Sequence, residues 1–330
     1  MQLINNKDIN DPTINLALEE YCVRNLDFEG KNYLLFYINE PSIIIGKHQN
    51  TIEEINSDYV KANNIHVVRR VSGGGAVYHD RGNLNFSFMT KYDIKSLHNF
   101  KKFTQPVIDT LKDMGVSAEL SGRNDIIVEG RKISGNAQFS NTKSMLSHGT
   151  LLFNSTLEDV VEALNVKTDK IESKGIKSVR SRVANITEFL SEIITIEEFR
   201  ERLIKKIFEN EPSSVYELSD EEWEKVDKLS NEKYRAWNWN YGRSPEFNIK
   251  KINRFEFGQV DMRLHVKDGI ITDIKIYGDF LAHGEMLEIE ELLINTKFEE
   301  TEIERILDEV DMHHYFGPIT SRDFVKFMMN

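Results

Sequence analysis

The chain has 330 residues, 40% hydrophobic and 29% charged, an ordinary globular composition with enough length for a large domain and a smaller one. A formal charge of −12 argues against sequence-independent binding to nucleic acid or to an anionic membrane, because both polyanions are repelled, although a local basic pocket remains buildable. A single cysteine excludes an internal disulfide, and only 6 prolines and 18 glycines argue against long disordered linkers. The N-terminal MQLINNKDINDPTINLALEE lacks the apolar core of a signal peptide, and no run of about 18 apolar residues occurs. A cytoplasmic location is therefore expected.

Asp11-Pro12 predicts a helix start, a capping side chain followed by proline at the first helical position. Ile14, Ala17, Leu18, Tyr21 and Cys22 then fall at helical spacing, which makes Cys22 a packing residue. Tyr33 to Ile38 and Ser42 to Ile45 are apolar runs separated by Asn39-Glu40-Pro41, the pattern of a hairpin. His66 to Arg70 predicts a strand that enters Gly73-Gly74-Gly75, and Asn83 to Thr90 predicts the next. A helix ending near Gly115 follows, with a kink expected at Pro106.

Asp125 to Val128 and Arg131 to Ser134 flank Glu129-Gly130, a tight hairpin, and Gly149 to Asn154 is one more strand. Leu157 to Leu164, Ile196 to Phe208 and Asp220 to Ala236 read as helices. Lys170 to Arg182 is polar, basic and aperiodic, a long loop of the kind that is often functional. After Tyr241-Gly242-Arg243-Ser244-Pro245 the pattern restarts. Val260 to Val266 and Ile270 to Ile276 form a hairpin about Asp268-Gly269, and helices follow around Glu288 to Ile294 and Glu302 to Val310. The domain boundary is placed near residue 247.

Two segments carry the chemistry. In Arg69-Arg70-Val71-Ser72-Gly73-Gly74-Gly75-Ala76-Val77-Tyr78-His79-Asp80 the glycines are either a floppy turn or a cradle whose N–H groups meet an anion, with Arg70 as a bidentate phosphate partner. No Gly-Lys-Ser/Thr follows, so this is not a Walker A loop. Tyr78 stands where the dinucleotide fingerprint needs glycine. In Gly130-Arg131-Lys132-Ile133-Ser134-Gly135-Asn136-Ala137-Gln138, period-2 alternation puts Lys132 and Ser134 on one face. Spacing alone leaves open whether Lys132 is functional or an edge-strand lysine that discourages aggregation.

Together these motifs resemble the lipoate–protein ligase A family, related in fold to biotin–protein ligases. Arg69 to Asn83 matches the family's first motif nearly throughout, and Gly130 to Gln138 matches the second. His148-Gly149-Thr150 and Lys177-Ser178-Val179-Arg180-Ser181-Arg182-Val183 resemble a third strand and a loop that closes over the adenylate. Trp239 to Phe247 resembles the join to an accessory domain. The resemblance implies an α+β fold, a mixed, largely antiparallel sheet flanked by helices over 1–247, then a small α/β accessory domain over 248–330.

It also implies an ATP-dependent ligase that salvages lipoate, activates it to lipoyl-AMP, and transfers it to a lysine of an apo carrier. Lys132 and Arg70 would be the catalytic cations, converging where carboxylate and phosphate meet. Arg70, Gly75, Ala76, Val77, Tyr78, Asn83, Lys132, Arg180 and Arg182 would bind ATP or the adenylate. Ser72, Gly73, Gly74, Gly75, His79, Lys132, Ser134 and His148 would bind lipoate, and Asp125 is a candidate Mg²⁺ ligand. ATP, Mg²⁺ and lipoate are the small molecules implied, with no permanently bound cofactor.

The carriers implied are lipoyl domains of 2-oxoacid dehydrogenase acyltransferase subunits, the glycine-cleavage H protein, or both. Three rivals stand beside this reading. An ATP-independent octanoyl or lipoyl transferase of the same fold needs a cysteine nucleophile, and only Cys22 is present. A non-catalytic lipoyl- or nucleotide-binding regulator has no need of Lys132 and Arg70. A biotin–protein ligase fits the two-arginine glycine motif and the C-terminal module less well.

Overall fold

The computed structural model describes residues 1–122, 124–164, 182–209, 214–241, 249–267, 269–281 and 283–329, with positions 52 and 53 described by backbone alone. The expected closing loop up to Ser181, with Arg180, and most of the expected join after Trp239 lie outside the described residues. The chain divides into two compact units. One comprises Met1–Ile45, Ile52–Arg69 and Ala76–Asn240; the other comprises Gly46–Thr51, Arg70–Gly75 and Tyr241–Asn330.

In chain order the first unit holds β1 (Gln2–Ile4), α1 (Pro12–Asn25), β2 (Tyr33–Ile38), β3 (Ser42–Ile45), α2 (Thr51–Glu54), α3 (Ser57–Ala62), β4 (His66–Arg69), β5 (Val77–His79) and β6 (Asn83–Lys91). It continues with α4 (Phe100–Asp113), β7 (Ala118–Ser121), β8 (Asp125–Val128), β9 (Arg131–Ser140), β10 (Ser144–Leu152), α5 (Leu157–Ala163) and β11 (Ser214–Tyr216). Among the described residues an eight-stranded sheet runs β11-β1-β2-β6-β10-β9-β8-β7, and β4-β3-β5 form a second, three-stranded sheet. Only the β1–β11 and β1–β2 pairs of the large sheet are parallel, so the expected mixed, largely antiparallel α+β architecture is present.

Local chemistry explains the elements. Asp11 caps α1 by accepting from the Thr13 amide at 2.8 Å, with Pro12 opening the helix. Helix α4 continues through Pro106, and the Thr110 hydroxyl donates to the Pro106 carbonyl at 2.8 Å. The hairpin between β8 and β9 turns at Glu129 and Gly130, both with positive φ (51° and 75°), the geometry of a type I′ turn. Leu34, Phe36, Phe88, Phe103, Leu111 and Ile126 belong to one core between the large sheet and its helices.

One expected pairing is wrong. β2 and β3 do not form a hairpin: β2 joins the large sheet between β1 and β6, whereas β3 pairs with β4 and β5. Both runs are buried along nearly their whole length, so neither shows the alternation that fixes a partner. The expected helix from Asp220 to Ala236 is an α-helix over Asp220–Leu229 that loosens into a π-helical turn over Ser230–Tyr234.

In the second unit β12 (Ile249–Phe255), β13 (Gly258–Lys267) and β14 (Ile270–Gly278) make an antiparallel meander. Val260, Met262, Leu264, Ile271, Ile274 and Phe280 are buried in its core against helices Met286–Leu293, Glu300–Leu307 and Ser321–Met329. The same unit includes the short segments Gly46–Thr51 and Arg70–Gly75. The Gly278 amide donates to the His48 carbonyl at 2.6 Å, and the His48 ring stacks on Phe280 at 5.0 Å. The Lys47 ammonium lies 2.8 Å from a Glu285 carboxylate oxygen.

Candidate active site

The two arginines of the glycine motif have different tasks. Arg69 ends β4 in the first unit, where its Nε donates to the Trp239 carbonyl at 2.8 Å and its amide donates to Asn240 Oδ1 at 2.9 Å. Arg70 belongs to the second unit and is buried. Its guanidinium donates to Ser72 Oγ at 3.0 Å, to the Gly73 carbonyl at 2.7 Å and to the Gly75 carbonyl at 2.9 Å, so it holds the loop in shape. Gly73 is required by close approach: a Cβ there would lie 2.3 Å from the Phe280 carbonyl oxygen. Gly46 has the same constraint against Gly74, whose oxygen would lie 1.8 Å from an added Cβ. Gly75, by contrast, faces open space.

In the first unit, β8 and β9 present Lys132. Its backbone is pinned on both sides, the amide donating to the Arg182 carbonyl at 2.6 Å and the carbonyl accepting from the Ala184 amide at 3.0 Å. Its ammonium lies 2.8 Å from Asp125 Oδ1, and both side chains are 37% exposed. Ser134 is buried, and its hydroxyl accepts from Asn136 at 3.2 Å. The Arg182 side chain is exposed.

A cavity of about 290 Å³ is lined by Arg131, Ser155, Leu157, Val183, Asn185 and Glu188, among others. The buried Ser155 hydroxyl has no hydrogen-bond partner among the described residues. Asn83, fully buried at the start of β6, donates to Asn85 at 2.9 Å while its Oδ1 lacks a partner among the described residues. A buried orphan polar group is what a ligand or water satisfies. Tyr78 on β5 reaches Asp159 at 3.4 Å; its burial, then the Asp159 charge, push the phenol well above its ordinary value. His79 lies 3.0 Å from Asn39, which holds Asn15 in turn.

His148 on β10 leads to a residue the motifs did not disclose. Its Nδ1 lies 3.0 Å from Glu19 of α1, a carboxylate only 1% exposed. Ser87 of β6 and Tyr37 of β2 also donate to Glu19. A buried carboxylate persists because such donors surround it. Its signal in the sequence is faint: Asn15 and Glu19 put two polar groups on a helix that is otherwise apolar on that side.

Among the described residues no three His, Cys, Asp or Glu side chains gather as a metal site, so they form no cage for Mg²⁺. Asp125 is already engaged with an ammonium. No described helix is long and apolar enough to cross a membrane.

The model of the lipoyl protein ligase A/B catalytic domain matches residues 11–208, and that of the bacterial lipoate protein ligase C-terminus matches 244–328. The chain belongs to the lipoate–protein ligase family. It is 59% identical to lipoate-protein ligase LplJ of Bacillus subtilis (strain 168), covering 99% of this chain and 100% of that one. P. falciparum LipL1, solved in complex with lipoate, superposes with a TM-score of 0.77 at 27% identity, covering 94% of each chain. A lipoate-protein ligase A solved with ATP superposes with a TM-score of 0.62 at 30% identity, covering 73% of this chain and 98% of that chain.

Proposed function

We propose that the protein activates lipoate with ATP and passes it to the ε-amine of a lysine on an apo lipoyl domain. The observation that carries this is Lys132: an ammonium more than a third exposed, on a backbone pinned from both sides and held by Asp125. Relatives solved with lipoate and with ATP support the same substrates here.

In the first half-reaction a lipoate carboxylate oxygen attacks the α-phosphorus. The bond to the β-phosphate oxygen breaks, and pyrophosphate leaves. Two anions meet, so the site must cancel charge, and Lys132 and Arg70 are the cations assigned to it. Lysine suits the position because a compact ammonium can follow the oxygens as the α-phosphorus changes geometry here and as the acyl carbon turns tetrahedral in the second half-reaction. In the second half-reaction the acceptor amine attacks the acyl carbon, the acyl C–O bond breaks with its electron pair going to AMP as leaving group, and the new amide nitrogen loses a proton to solvent. Positioning and electrostatics carry most of the acceleration.

The nucleotide is assigned to Val77, Tyr78 and Asn83, and the acyl chain to the glycine loop and the strands that carry Ser134 and His148. Mg²⁺ is assigned to the ATP phosphates with which it would arrive. The proposed division is a catalytic domain over 1–247 and an accessory domain over 248–330, and the proposed compartment is the cytoplasm, which supplies ATP. The carrier is a lipoyl domain of a dehydrogenase acyltransferase subunit, the H protein, or both.

Cys22 argues against the ATP-independent transferase. It is fully buried in α1, and burial pushes its thiol far above the ordinary range. The test is incubation of the purified chain with lipoate and apo lipoyl domains, with and without ATP and Mg²⁺, read by mass. A lipoyl mass increment on the domain that appears only with ATP is expected. Transfer from an octanoyl-carrier donor without ATP would overturn the reading.

A further inference from the structure

The seat of Lys132 contains two residues beyond the lysine itself. In register, Ile127 pairs with Lys132 and Ile126 with Ser134, so β9 carries one extra residue between them. Such a bulge re-aims a side chain. Here the lysine tip comes to lie along the strand above Gly135: a Cβ on Gly135 would sit 2.9 Å from the ammonium nitrogen and 3.0 Å from Cε. Gly135 pairs directly across the ladder with Asp125, whose Oδ1 takes the ammonium at 2.8 Å. Bulge, missing Cβ and carboxylate thus restrain a flexible side chain with four rotatable bonds.

Resting on the adenylation reading above, we propose that Asp125 is a positioning residue that sets the rotation of the Lys132 ammonium. An ammonium has three N–H groups. Asp125 holds one, which leaves two directed outward, one for the acyl oxygen and one for the phosphate oxygen. A carboxylate placed where two anions must meet is electrostatically adverse. Orientation is the compensation that accounts for its presence. Because both partners are over a third exposed, the ion pair contributes little to folding. Its loss should therefore appear in turnover and not in stability.

The test measures lipoate-dependent ATP–pyrophosphate exchange in Asp125→Ala, Asp125→Asn, Lys132→Ala, the Asp125→Ala/Lys132→Ala pair and Gly135→Ala. Asp125→Ala should lower kcat about 10- to 100-fold, as a misplaced catalytic group does, with KM for lipoate and ATP within about two-fold. Asp125→Asn, which still accepts the same N–H, should recover to within about three-fold of the parent. Added to Lys132→Ala, the Asp125 change should cost nothing more, since it acts through the lysine. Gly135→Ala should reproduce the kcat loss by displacing the ammonium.

Parental kcat in Asp125→Ala overturns the proposal. So does an Asn variant as impaired as Ala, or a loss that higher Mg²⁺ restores, because that would make Asp125 a cation ligand. Full activity in Lys132→Ala would instead overturn the adenylation reading itself, a distinguishable failure.

Discussion

Lys132 and Arg70, the two cations assigned to the chemistry, are seated in opposite ways. Lys132 sits half-exposed on a strand and is met by a carboxylate, Asp125, while its backbone is clamped by Arg182 and Ala184. Arg70 is buried and met by oxygens of its own loop, those of Ser72, Gly73 and Gly75. The lysine seat fixes a mobile tip on a rigid strand. In the arginine seat, a rigid planar fork holds an otherwise soft glycine loop. From this difference it follows that damage at Arg70 should unsettle local structure, whereas damage at Lys132 should leave the fold intact and remove turnover.

The largest structural effect is expected at Gly73. Gly73→Ala must push the loop off the Phe280 carbonyl, and overpacking of this kind costs about 1–3 kcal/mol. Gly75→Ala, with open space around it, should cost under about 1 kcal/mol. Urea unfolding of both variants checks the contrast, and equal losses would break it. Arg70→Lys comes next. A point charge cannot bridge Ser72, Gly73 and Gly75 together, and loss of charge-assisted hydrogen bonds should cost about 1.5 kcal/mol with ligation falling about ten-fold. Unchanged stability would show that the loop holds itself.

A further contrast is a buried ion pair, which calibrates the exposed one at Lys132. Burial alone would raise the Glu20 carboxyl, but Lys233, then Tyr234 and Arg24, outweigh it and hold its pKa below the ordinary 4.5. A lowered folded-state value means that the stabilisation is complete above the unfolded-state pKa and is lost as pH falls through the folded one. Glu20→Gln should therefore lower stability at neutral pH and flatten the acid limb of the stability–pH curve, the gap to the parent closing as pH falls through the folded-state value. An acid limb identical to the parent would remove Glu20 from it.

Much of the fold was legible where a segment announces itself locally. Asp11-Pro12 capped a helix, Glu129-Gly130 turned a hairpin, and β13 and β14 alternated. What escaped depends on distant partners. β1, β7 and β11 are three or four residues long and carry too little pattern, while Met312–Phe316 and Ser321–Met329 pack on a core assembled from elsewhere in the second unit. The misread β2–β3 hairpin belongs here as well.

The site shows the same division. Arg70, Lys132, Tyr78 and Asn83 stand in dense motifs. Glu19 is invisible without the strands that bring Ser87, Tyr37 and His148 to it. The glycine run read as a turn or a cradle because nothing local reveals that Gly73 abuts Phe280, more than 200 residues away in sequence.

The central claim is that the Lys132 charge makes the meeting of carboxylate and phosphate possible. Exchange of labelled pyrophosphate into ATP, driven by lipoate, reads that step alone. Lys132→Ala should raise the barrier by about 3 kcal/mol or more, a fall of over a hundred-fold, while the variant unfolds in urea like the parent. Exchange within about two-fold of the parent would contradict the claim.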